Sequence, residues 1–306
     1  MNVLITGGAG YLGCRLVGNL LRLKFNVTVV DDFRYGQRGL LYYCNQPNFK
    51  VVKGYCNLSA LMKPLVADAD VIFPFAGVVG NQICEAYAND AVLVNSVAVA
   101  DLLDWASQGS RERLVVFPMT NAGYRVESGG IATEDTPMEA RTVYASTKMM
   151  AEQAVLKYRL GISLRLASVY GSSPEMRDDR APLLNWMVKE AVARKYLTLS
   201  GPEVKRDVVH ISDAVNAFVW AMMNYEKTAG QAFNVGRGAF TKLELCQTIR
   251  ELVPNFFWEL LEDAYEDPDQ RDFAVSYEKI RQLGFSCTTP LVEGIEDLIK
   301  AYTMVG

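Results

Sequence analysis

Tyr144 and Lys148 are two side chains whose types and spacing suit proton transfer. Residues four apart in a helix lie on one face, one turn from each other. An ammonium beside a phenol stabilises the phenolate, so a group with an ordinary pKa of about 10 becomes usable as a base closer to neutral pH. The same pair also occurs by chance on surface helices, which is the alternative interpretation. The spacing indicates a candidate general base that its place in the fold must support.

A glycine-rich segment at the start of the chain predicts a phosphate-binding turn. Gly7, Gly10 and Gly13 follow a strand-like apolar run and open a helical pattern. Glycine permits a tight turn, and it lets backbone amides at the helix N-terminus approach a pyrophosphate. A tight strand-to-helix turn that binds nothing is the alternative. Together with the tyrosine–lysine pair, the segment suggests an enzyme that moves a hydride and a proton at one carbon.

The second predicted strand ends at Asp31 and Asp32, about twenty residues after the glycines, where a carboxylate can bind the adenosine ribose hydroxyls. A carboxylate in this place repels a 2′-phosphate, so NAD is favoured over NADP. Arg34 complicates this prediction, since a nearby arginine could accept that phosphate. Asp32 could equally be a solvated loop residue.

Strand and helix patterns alternate through the first half of the chain. This order predicts an α/β fold with a Rossmann-type doubly wound parallel sheet that helices cover on both faces. Predicted strands cover residues 3–6, 26–31, 50–53, 71–75, 114–118 and 163–166, and predicted helices cover 12–23, 58–65, 85–106 and 143–158. After about residue 170 the rhythm changes to that of a smaller, mixed α/β C-terminal lobe.

The same change of rhythm predicts two domains. Residues 1–170 are expected to form a dinucleotide-binding Rossmann domain that carries the catalytic residues. Residues 171–306 are expected to form mainly a substrate-binding lobe, with part of 205–240 returning to the Rossmann domain. Because no Pro/Gly/Ser-rich linker separates them, we expect a shared interface with a cleft outside the carboxyl ends of the strands.

Bulk composition excludes several classes of function. The 306 residues are 50% hydrophobic and carry a net charge of −4, which argues against a nucleic-acid-binding protein. The six cysteines are scattered without a CxxC pair, so we expect free thiols in a reducing cytosol and no metal site. Neither a signal peptide nor a membrane span is apparent. A soluble, cytoplasmic protein is expected.

Ordered motifs along nearly the whole chain resemble those of the extended short-chain dehydrogenases/reductases, in particular the NAD-dependent sugar-nucleotide epimerase/dehydratase family. The segment TGGAGYLG at 6–13 is similar to the family's TGxxGxxG, and Thr120, Tyr144 and Lys148 are similar to its catalytic Ser/Thr-Tyr-Lys set. Further similarities are Phe75-Ala76-Gly77, Asn95, LRLASVYG at 164–171, RDVVHISD at 206–213 and FNVG at 233–236. The resemblance implies NAD as cofactor, a nucleotide sugar as substrate, and a homodimer formed through helices 85–106 and 143–158.

The resemblance also implies a role for each member of the catalytic set. Tyr144 would be the general base at a sugar hydroxyl, most often O4, and Thr120 would hydrogen-bond the same oxygen. Lys148 would hold the nicotinamide ribose, while NAD takes the hydride from the same carbon. The implied cofactor-binding residues are Gly7, Gly10, Tyr11, Leu12, Gly13, Asp31, Asp32, Phe33, Arg34, Phe75, Ala76, Gly77, Asn95, Tyr144 and Lys148.

Substrate contacts are implied mainly by the second half of the chain. Arg206 and Arg271 resemble the arginines that grip the nucleotide diphosphate, a task that suits a guanidinium fork, and structural salt bridges are the alternative. Arg177 and Arg180 lie in a charged stretch that either contacts substrate or is solvated. His210, the only histidine, is expected to be a packed structural residue. The implied substrate-binding residues are Val79, Thr120, Asn121, Ser168, Arg177, Arg180, Arg206 and Arg271.

Departures from the family pattern narrow the reaction. The 4,6-dehydratases carry acidic residues after the catalytic Ser/Thr, where this chain has Asn121 and Ala122, and alanine cannot move a proton. Oxidation at C4, by a 4-epimerase or 4-dehydrogenase of surface-polysaccharide or secondary-metabolite sugar biosynthesis, is favoured over water elimination. Segments 77–80 with Cys84, 120–124 and 267–276 resemble a subgroup that contains a GDP-heptose 4-dehydrogenase. A non-catalytic, NAD-binding regulator of the same fold is the alternative from another class.

Overall fold

Strands and helices alternate through most of the chain in the computed structural model, which describes residues 1–109, 111–127, 129–176, 181–261 and 273–305. The strands are β1 (Asn2–Thr6), β2 (Asn26–Asp31), β3 (Phe49–Lys53), β4 (Val71–Pro74), β5 (Leu114–Thr120), β6 (Ile131–Ala132), β7 (Gly161–Leu166), β8 (Ser168–Tyr170), β9 (Tyr196–Leu199), β10 (Lys205–His210), β11 (Gln231–Val235), β12 (Gly238–Thr241), β13 (Phe257–Leu260) and β14 (Ala274–Val275).

The helices are α1 (Tyr11–Arg22), α2 (Ser59–Asp68), α3 (Asn81–Ala86), α4 (Ala88–Val92), α5 (Ala98–Ser107), α6 (Val143–Lys157), α7 (Leu183–Ala193), α8 (Ile211–Met223), α9 (Tyr225–Thr228), α10 (Lys242–Leu252), α11 (Glu278–Gln282) and α12 (Leu291–Val305). Short 3₁₀ segments cover Gly39–Tyr43 and Asn121–Gly123, and a π-helical segment covers Leu93–Val97. Within the ranges that the structure describes, no helix is long and apolar enough to cross a membrane.

A seven-stranded sheet with the strand order β11-β7-β5-β4-β1-β2-β3 forms the centre of the molecule. All its neighbouring strands run parallel. The order reverses at β1, which lies between β2 and β4. Carboxyl ends of strands on either side of such a reversal enclose a crevice, and ligands bind in crevices of this kind.

Alternate residues of the central strands are buried on opposite faces of this sheet, as the two-residue period of a strand requires. One face buries Val3, Ile5, Val29 and Phe73 in a cluster with side chains of α1 and α8. The other buries Leu4, Val30, Ile72 and Val115 in a cluster with side chains of α2, α5 and α6. Both faces are covered, which confirms the predicted doubly wound α/β class.

Smaller sheets and a separate core make up most of the C-terminal part. β10 pairs with β8 in parallel and with β12 in antiparallel orientation, while β13 pairs with β9 and β14 with β6. Side chains of α7, α10 and α12 share a second apolar core. This part is the predicted smaller, mixed α/β lobe. β11 leaves it and pairs with β7 at one edge of the central sheet.

The prediction of a single regular helix over 85–106 is wrong, because several helical segments cover this range. The backbone breaks at Tyr87, which has φ −126° and ψ 52°, so that α3 and α4 are separate. α4 then runs through the π-helical segment Leu93–Val97 into α5. The apolar pattern did not reveal this change, because a π segment shifts the helical register without altering the types of residue. The shift in register occurs around Asn95, whose side chain is buried.

Candidate active site

The turn after β1 has no room for a side chain at Gly7. Its φ is +69°, and a Cβ there would lie 2.4 Å from the backbone nitrogen of Ala76, just after β4. A Cβ on Gly13 would lie 2.6 Å from the carbonyl oxygen of Gly7. Helix α1 begins next to Gly10, which supplies no side-chain cap. The first backbone N–H groups of α1 therefore have no side-chain cap, and the turn in front of them carries little side-chain bulk. Such a helix N-terminus fits the pyrophosphate of a dinucleotide.

Asp31 and Asp32 have different environments at the end of β2. Asp31 is only 7% exposed, and its carboxylate accepts hydrogen bonds from the backbone N–H groups of Ala9 at 3.0 Å and Phe33 at 2.9 Å. It therefore fixes the glycine-rich turn, and burial raises its pKa. Asp32 accepts from Nε of Arg34 at 2.6 Å. The Arg34 guanidinium, which could have accepted a 2′-phosphate, is thus paired with a carboxylate. This pairing supports NAD over NADP.

The side chains of Tyr11 and Leu12, at the start of α1, contact other segments of the protein. The Tyr11 hydroxyl donates to the carbonyl oxygen of Gly171 at 2.6 Å, and Ser173 Oγ donates to the Tyr11 carbonyl at 2.7 Å. Leu12 packs on the apolar cluster beneath α1. Tyr11 therefore ties the glycine-rich turn to the segment after β8, 160 residues away in sequence.

The predicted nicotinamide side follows β4 as Phe75, Ala76 and Gly77. Phe75 packs on Phe218 of α8, with ring centroids 4.7 Å apart. A Cβ on Gly77 would lie 3.0 Å from Oδ1 of Asn95. This strand end therefore touches both α8 and the π-helical segment, so it is held on two sides.

Asn95 is 2% exposed and joins three segments of the site. Its Oδ1 accepts from the N–H of Val78 at 2.8 Å, and its Nδ2 donates to the carbonyl of Val78 at 2.9 Å. Nδ2 also lies 3.1 Å from Oγ1 of Thr147, which donates to the carbonyl of Tyr144 at 3.0 Å. The residue predicted to bind cofactor thus holds the loop after β4 against the helix that carries Tyr144.

Replacing Asn95 with alanine should lower the free energy of unfolding by about 2–4 kcal/mol, because the buried N–H and C=O of Val78 would both lose their partner. Urea denaturation followed by circular dichroism measures the change. Gln108→Ala, which removes an exposed amide just after α5, is the matched control and should change stability by about 0.5 kcal/mol or less. If Asn95→Ala lowers the free energy of unfolding by less than about 1 kcal/mol, Asn95 does not hold the loop after β4 as described.

Tyr144 and Lys148 occupy the first two turns of α6, and Thr120 ends the neighbouring β5. Tyr144 is half-buried against a small apolar cluster that contains Val78 and Cys84. Lys148 is 9% exposed, with Nζ 4.0 Å above the centre of the Phe117 ring. Burial lowers the pKa of Lys148 to about 7, against a smaller opposing effect of Glu152.

The segment after Thr120 is folded against this helix. Thr120 Oγ1 accepts from the N–H of Ala122 at 3.1 Å, which caps the 3₁₀ turn Asn121–Gly123. α6 packs on both β5 and this turn, and a Cβ on Gly123 would lie 3.2 Å from Sδ of Met149. The predicted hydroxyl, phenol and ammonium therefore lie on adjoining elements at the carboxyl end of the sheet.

The predicted substrate contacts are less completely described. Asn121 is buried, Val79 is exposed and Ser168 is half-buried. Arg206 is buried on β10 and donates to the carbonyl of Lys205 at 2.9 Å. The remaining three predicted arginines, Arg177, Arg180 and Arg271, lie outside the described residues.

His210 lies where the sequence predicts, whereas the position of Glu152 was not predicted. His210 is buried, burial lowers its pKa, and Nδ1 accepts from the N–H of Ser212 at the start of α8, as a packed structural residue would. Sequence reasoning missed Glu152, which is buried at the third position of the series Tyr144, Lys148, Glu152. Its four-residue spacing from Lys148 was the available signal.

The sheet and the glycine-rich turn place the protein among the Rossmann-type dinucleotide-binding proteins. Residues 3–236 match the NAD dependent epimerase/dehydratase family, and the chain belongs to that family. Family membership confirms the expected enzyme class and NAD as the cofactor.

Individual relatives are similar over the whole chain. The chain is 25% identical over 312 residues to UDP-glucuronic acid decarboxylase 4 of Arabidopsis thaliana, which covers 99% of this chain and 68% of that protein. It is 29% identical over 314 residues to the low-salt glycan biosynthesis protein Agl12 of Haloferax volcanii, covering 99% and 98%. The UDP-glucuronic acid 4-epimerase from Bacillus cereus has a TM-score of 0.85 at 21% identity over 100% of both chains, which shows the shared fold.

Proposed function

We propose that this enzyme oxidises C4 of a nucleotide-activated sugar with NAD, as a 4-epimerase or 4-dehydrogenase of surface-polysaccharide or secondary-metabolite sugar biosynthesis. The observation that carries the proposal is the adjoining position of Thr120, Tyr144 and Lys148 at the carboxyl end of a sheet whose glycine-rich turn fits a dinucleotide.

In this proposal each member of the catalytic set has one task. Tyr144 accepts the proton of the O4 hydroxyl, and Thr120 hydrogen-bonds the same oxygen and orients it. The Lys148 ammonium stabilises the phenolate of Tyr144 and binds the nicotinamide ribose. The turn at Gly7 and Asp31 would hold NAD, which when bound would supply the hydride acceptor for C4.

The cofactor is assigned to residues 1–170 and the sugar nucleotide mainly to 171–306, with part of 205–240 in the Rossmann domain. The pairing of β11 with β7 supports the last assignment. Arg206 and Arg271 are proposed to grip the diphosphate, with Arg177, Arg180 and Ser168 as further contacts.

Two outcomes share the oxidation step. If the keto sugar rotates and regains the hydride, the enzyme is a 4-epimerase, and if the keto sugar leaves, it is a 4-dehydrogenase, as the resemblance to the GDP-heptose subgroup suggests. Ala122 disfavours a 4,6-dehydratase, because a methyl group transfers no proton.

Decarboxylation is a second candidate, because the relative named UDP-glucuronic acid decarboxylase 4 aligns with 99% of this chain. Oxidation at C4 of a sugar with a C5 carboxylate gives a β-keto acid. Such an acid loses CO₂ when the C5–C6 bond breaks, its electron pair moves to C5, and a proton is then taken up there. Unlike the elimination of water, this reaction does not require an acidic side chain at position 122.

The test is to incubate the purified enzyme and NAD with UDP-, dTDP-, GDP- and CDP-sugars, including UDP-glucuronic acid. NADH absorbance, product stereochemistry and released CO₂ are followed. We expect a C4 epimer or a 4-keto product from at least one substrate. Loss of CO₂ with a pentose product would favour decarboxylation, and bound NAD without turnover of any substrate would favour a non-catalytic regulator.

We further propose a homodimer in the cytoplasm. Exposed apolar side chains on the two implied pairing helices support the dimer, namely Val92, Leu93, Val97 and Met150. Six free thiols support a reducing compartment. Sedimentation at micromolar concentration should give a dimeric mass that Val97→Glu converts to a monomer, and a monomeric wild-type chain would contradict this part.

A further inference from the structure

A buried ion pair lies one helical turn beyond Lys148 on α6. Both oxygens of Glu152 accept from Arg165 of β7, with Nε at 2.8 Å and Nη2 at 3.0 Å. Ser163 Oγ donates to the same carboxylate at 2.6 Å. Glu152 is 3% exposed and Arg165 is 7% exposed. The carboxylate therefore has a fixed position and cannot turn to solvent.

Glu152 lies one turn beyond Lys148 on the same helical face. Glu152 and the thiol of Cys84 in α3 act on the charge of Lys148, and the phenol of Tyr144 lies one turn before Lys148 on the same helix. Burial raises the pKa of Cys84 to about 11, so this thiol is neutral near pH 7. From β5 the ring of Phe117 faces Nζ and carries no charge. Glu152 is thus an anion that opposes the loss of the buried ammonium's proton, while Arg165, the cation of its ion pair, acts in the opposite direction from β7.

The same ion pair reaches the segment that carries Thr120. Arg165 Nη1 donates to the hydroxyl of Tyr124 at 2.9 Å, and that hydroxyl donates to Oδ1 of Asn234 in β11 at 2.5 Å. Tyr124 directly follows the 3₁₀ turn that begins after Thr120. One continuous, buried set of hydrogen bonds therefore joins α6, β7, β11 and the segment that follows β5.

We propose that Glu152 is a positioning residue of the reaction: its carboxylate, fixed by Arg165 and Ser163, keeps Lys148 in its charged form and holds α6 against the Thr120 segment. This inference rests on the proposed function for its catalytic consequence. The physical reason is that a buried ammonium retains its proton only where a fixed opposite charge offsets the loss of hydration.

The direct test measures the titration of Lys148 in the full chain labelled with ¹³Cε-lysine, with and without NAD. The resonance is identified by its loss in Lys148→Arg. The ammonium is present below its pKa and lost above it, so removing the anion should move the midpoint to lower pH. In Glu152→Gln we expect a fall of at least about one pH unit, a tenfold smaller ratio of charged to neutral Lys148.

Matched variants separate charge from structure. Ser163→Ala removes one hydrogen bond but keeps the carboxylate, and Glu152→Asp keeps the charge, so both should leave the midpoint within about 0.3 units. Glu152→Gln also leaves the Arg165 cation without its partner, so Glu152→Gln with Arg165→Met, which removes both buried charges, should show a lowered midpoint as well. A folded variant without the carboxylate and with an unchanged midpoint would overturn the proposal.

The kinetic arm compares the pH profile of kcat/KM for an active substrate. The alkaline limb should move to lower pH in Glu152→Gln and keep its position in Ser163→Ala and Glu152→Asp. A uniform loss of kcat/KM at every pH, with an unchanged profile, would indicate a merely structural role and overturn the proposal. If no sugar nucleotide is turned over, the proposed function fails while the lysine titration still decides this inference.

Discussion

Tyr144→Phe should lower kcat by about two to four orders of magnitude, the usual contribution of a positioned general base. The phenol is the group proposed to accept the O4 proton, and phenylalanine keeps the ring that packs against Val78 and Cys84. Stability should therefore change little, and NAD should still bind. Steady-state kinetics on the active sugar nucleotide measures kcat, and isothermal titration calorimetry measures the dissociation constant of NAD.

Tyr158→Phe is the matched control because Tyr158 directly follows the same helix. Its hydroxyl donates to the carbonyl of Arg113 at 2.7 Å, away from the proposed chemistry. This variant should lose about 1 kcal/mol of stability and keep its kcat. Activity near wild type in Tyr144→Phe, or equal losses in both variants, would refute the proposed role of Tyr144.

Gly7→Ala is expected to cost about 2–5 kcal/mol of stability, from the left-handed backbone and from the clash of Cβ with the backbone of Ala76. Relief of the clash must separate β1 from the segment after β4, which displaces the turn that faces the pyrophosphate. Losing two backbone hydrogen bonds to a charged phosphate, about 1.5 kcal/mol each, would weaken NAD binding by about a hundredfold. Urea denaturation and calorimetry measure the two effects.

Gly36→Ala provides the control for backbone conformation alone. Gly36 has nearly the same φ, +67°, but nothing lies within 4 Å of the Cβ that alanine would add. Its cost should be about 1–2 kcal/mol, without loss of NAD affinity. If Gly7→Ala behaves like Gly36→Ala, the close approach to Ala76 does not limit cofactor binding.

The central sheet could be predicted because its signals are local. Short apolar runs such as Val3–Thr6 and Asn26–Asp31 are buried on both faces, so they stand out between helical patterns of a different period. The glycine-rich turn was equally visible, since the residue type itself reports a backbone that tolerates no Cβ. The predicted single helix over 85–106 was wrong because its break at Tyr87 leaves the apolar pattern intact.

The contacts that shape the candidate site were not predictable from such patterns. Asn95 was recognised as a motif residue, but its bonds to Val78 and Thr147 join positions 17 and 52 residues away. The bond from Arg165 to Tyr124 spans 41 residues. No local period encodes which side chains meet over such separations, because the meeting depends on how sheet and helices pack.

By itself the sequence determined which chemical groups are present: a glycine-rich turn, two adjacent carboxylates at the end of β2, and a phenol and an ammonium on one helical face. Tertiary structure alone decided how these groups are used. It placed Asp31 under the turn, paired Arg34 with Asp32, and buried Lys148 beside Glu152. The physical reason is that residue type and local backbone follow from the order of the chain, whereas desolvation and charge pairing arise between segments that only folding brings together.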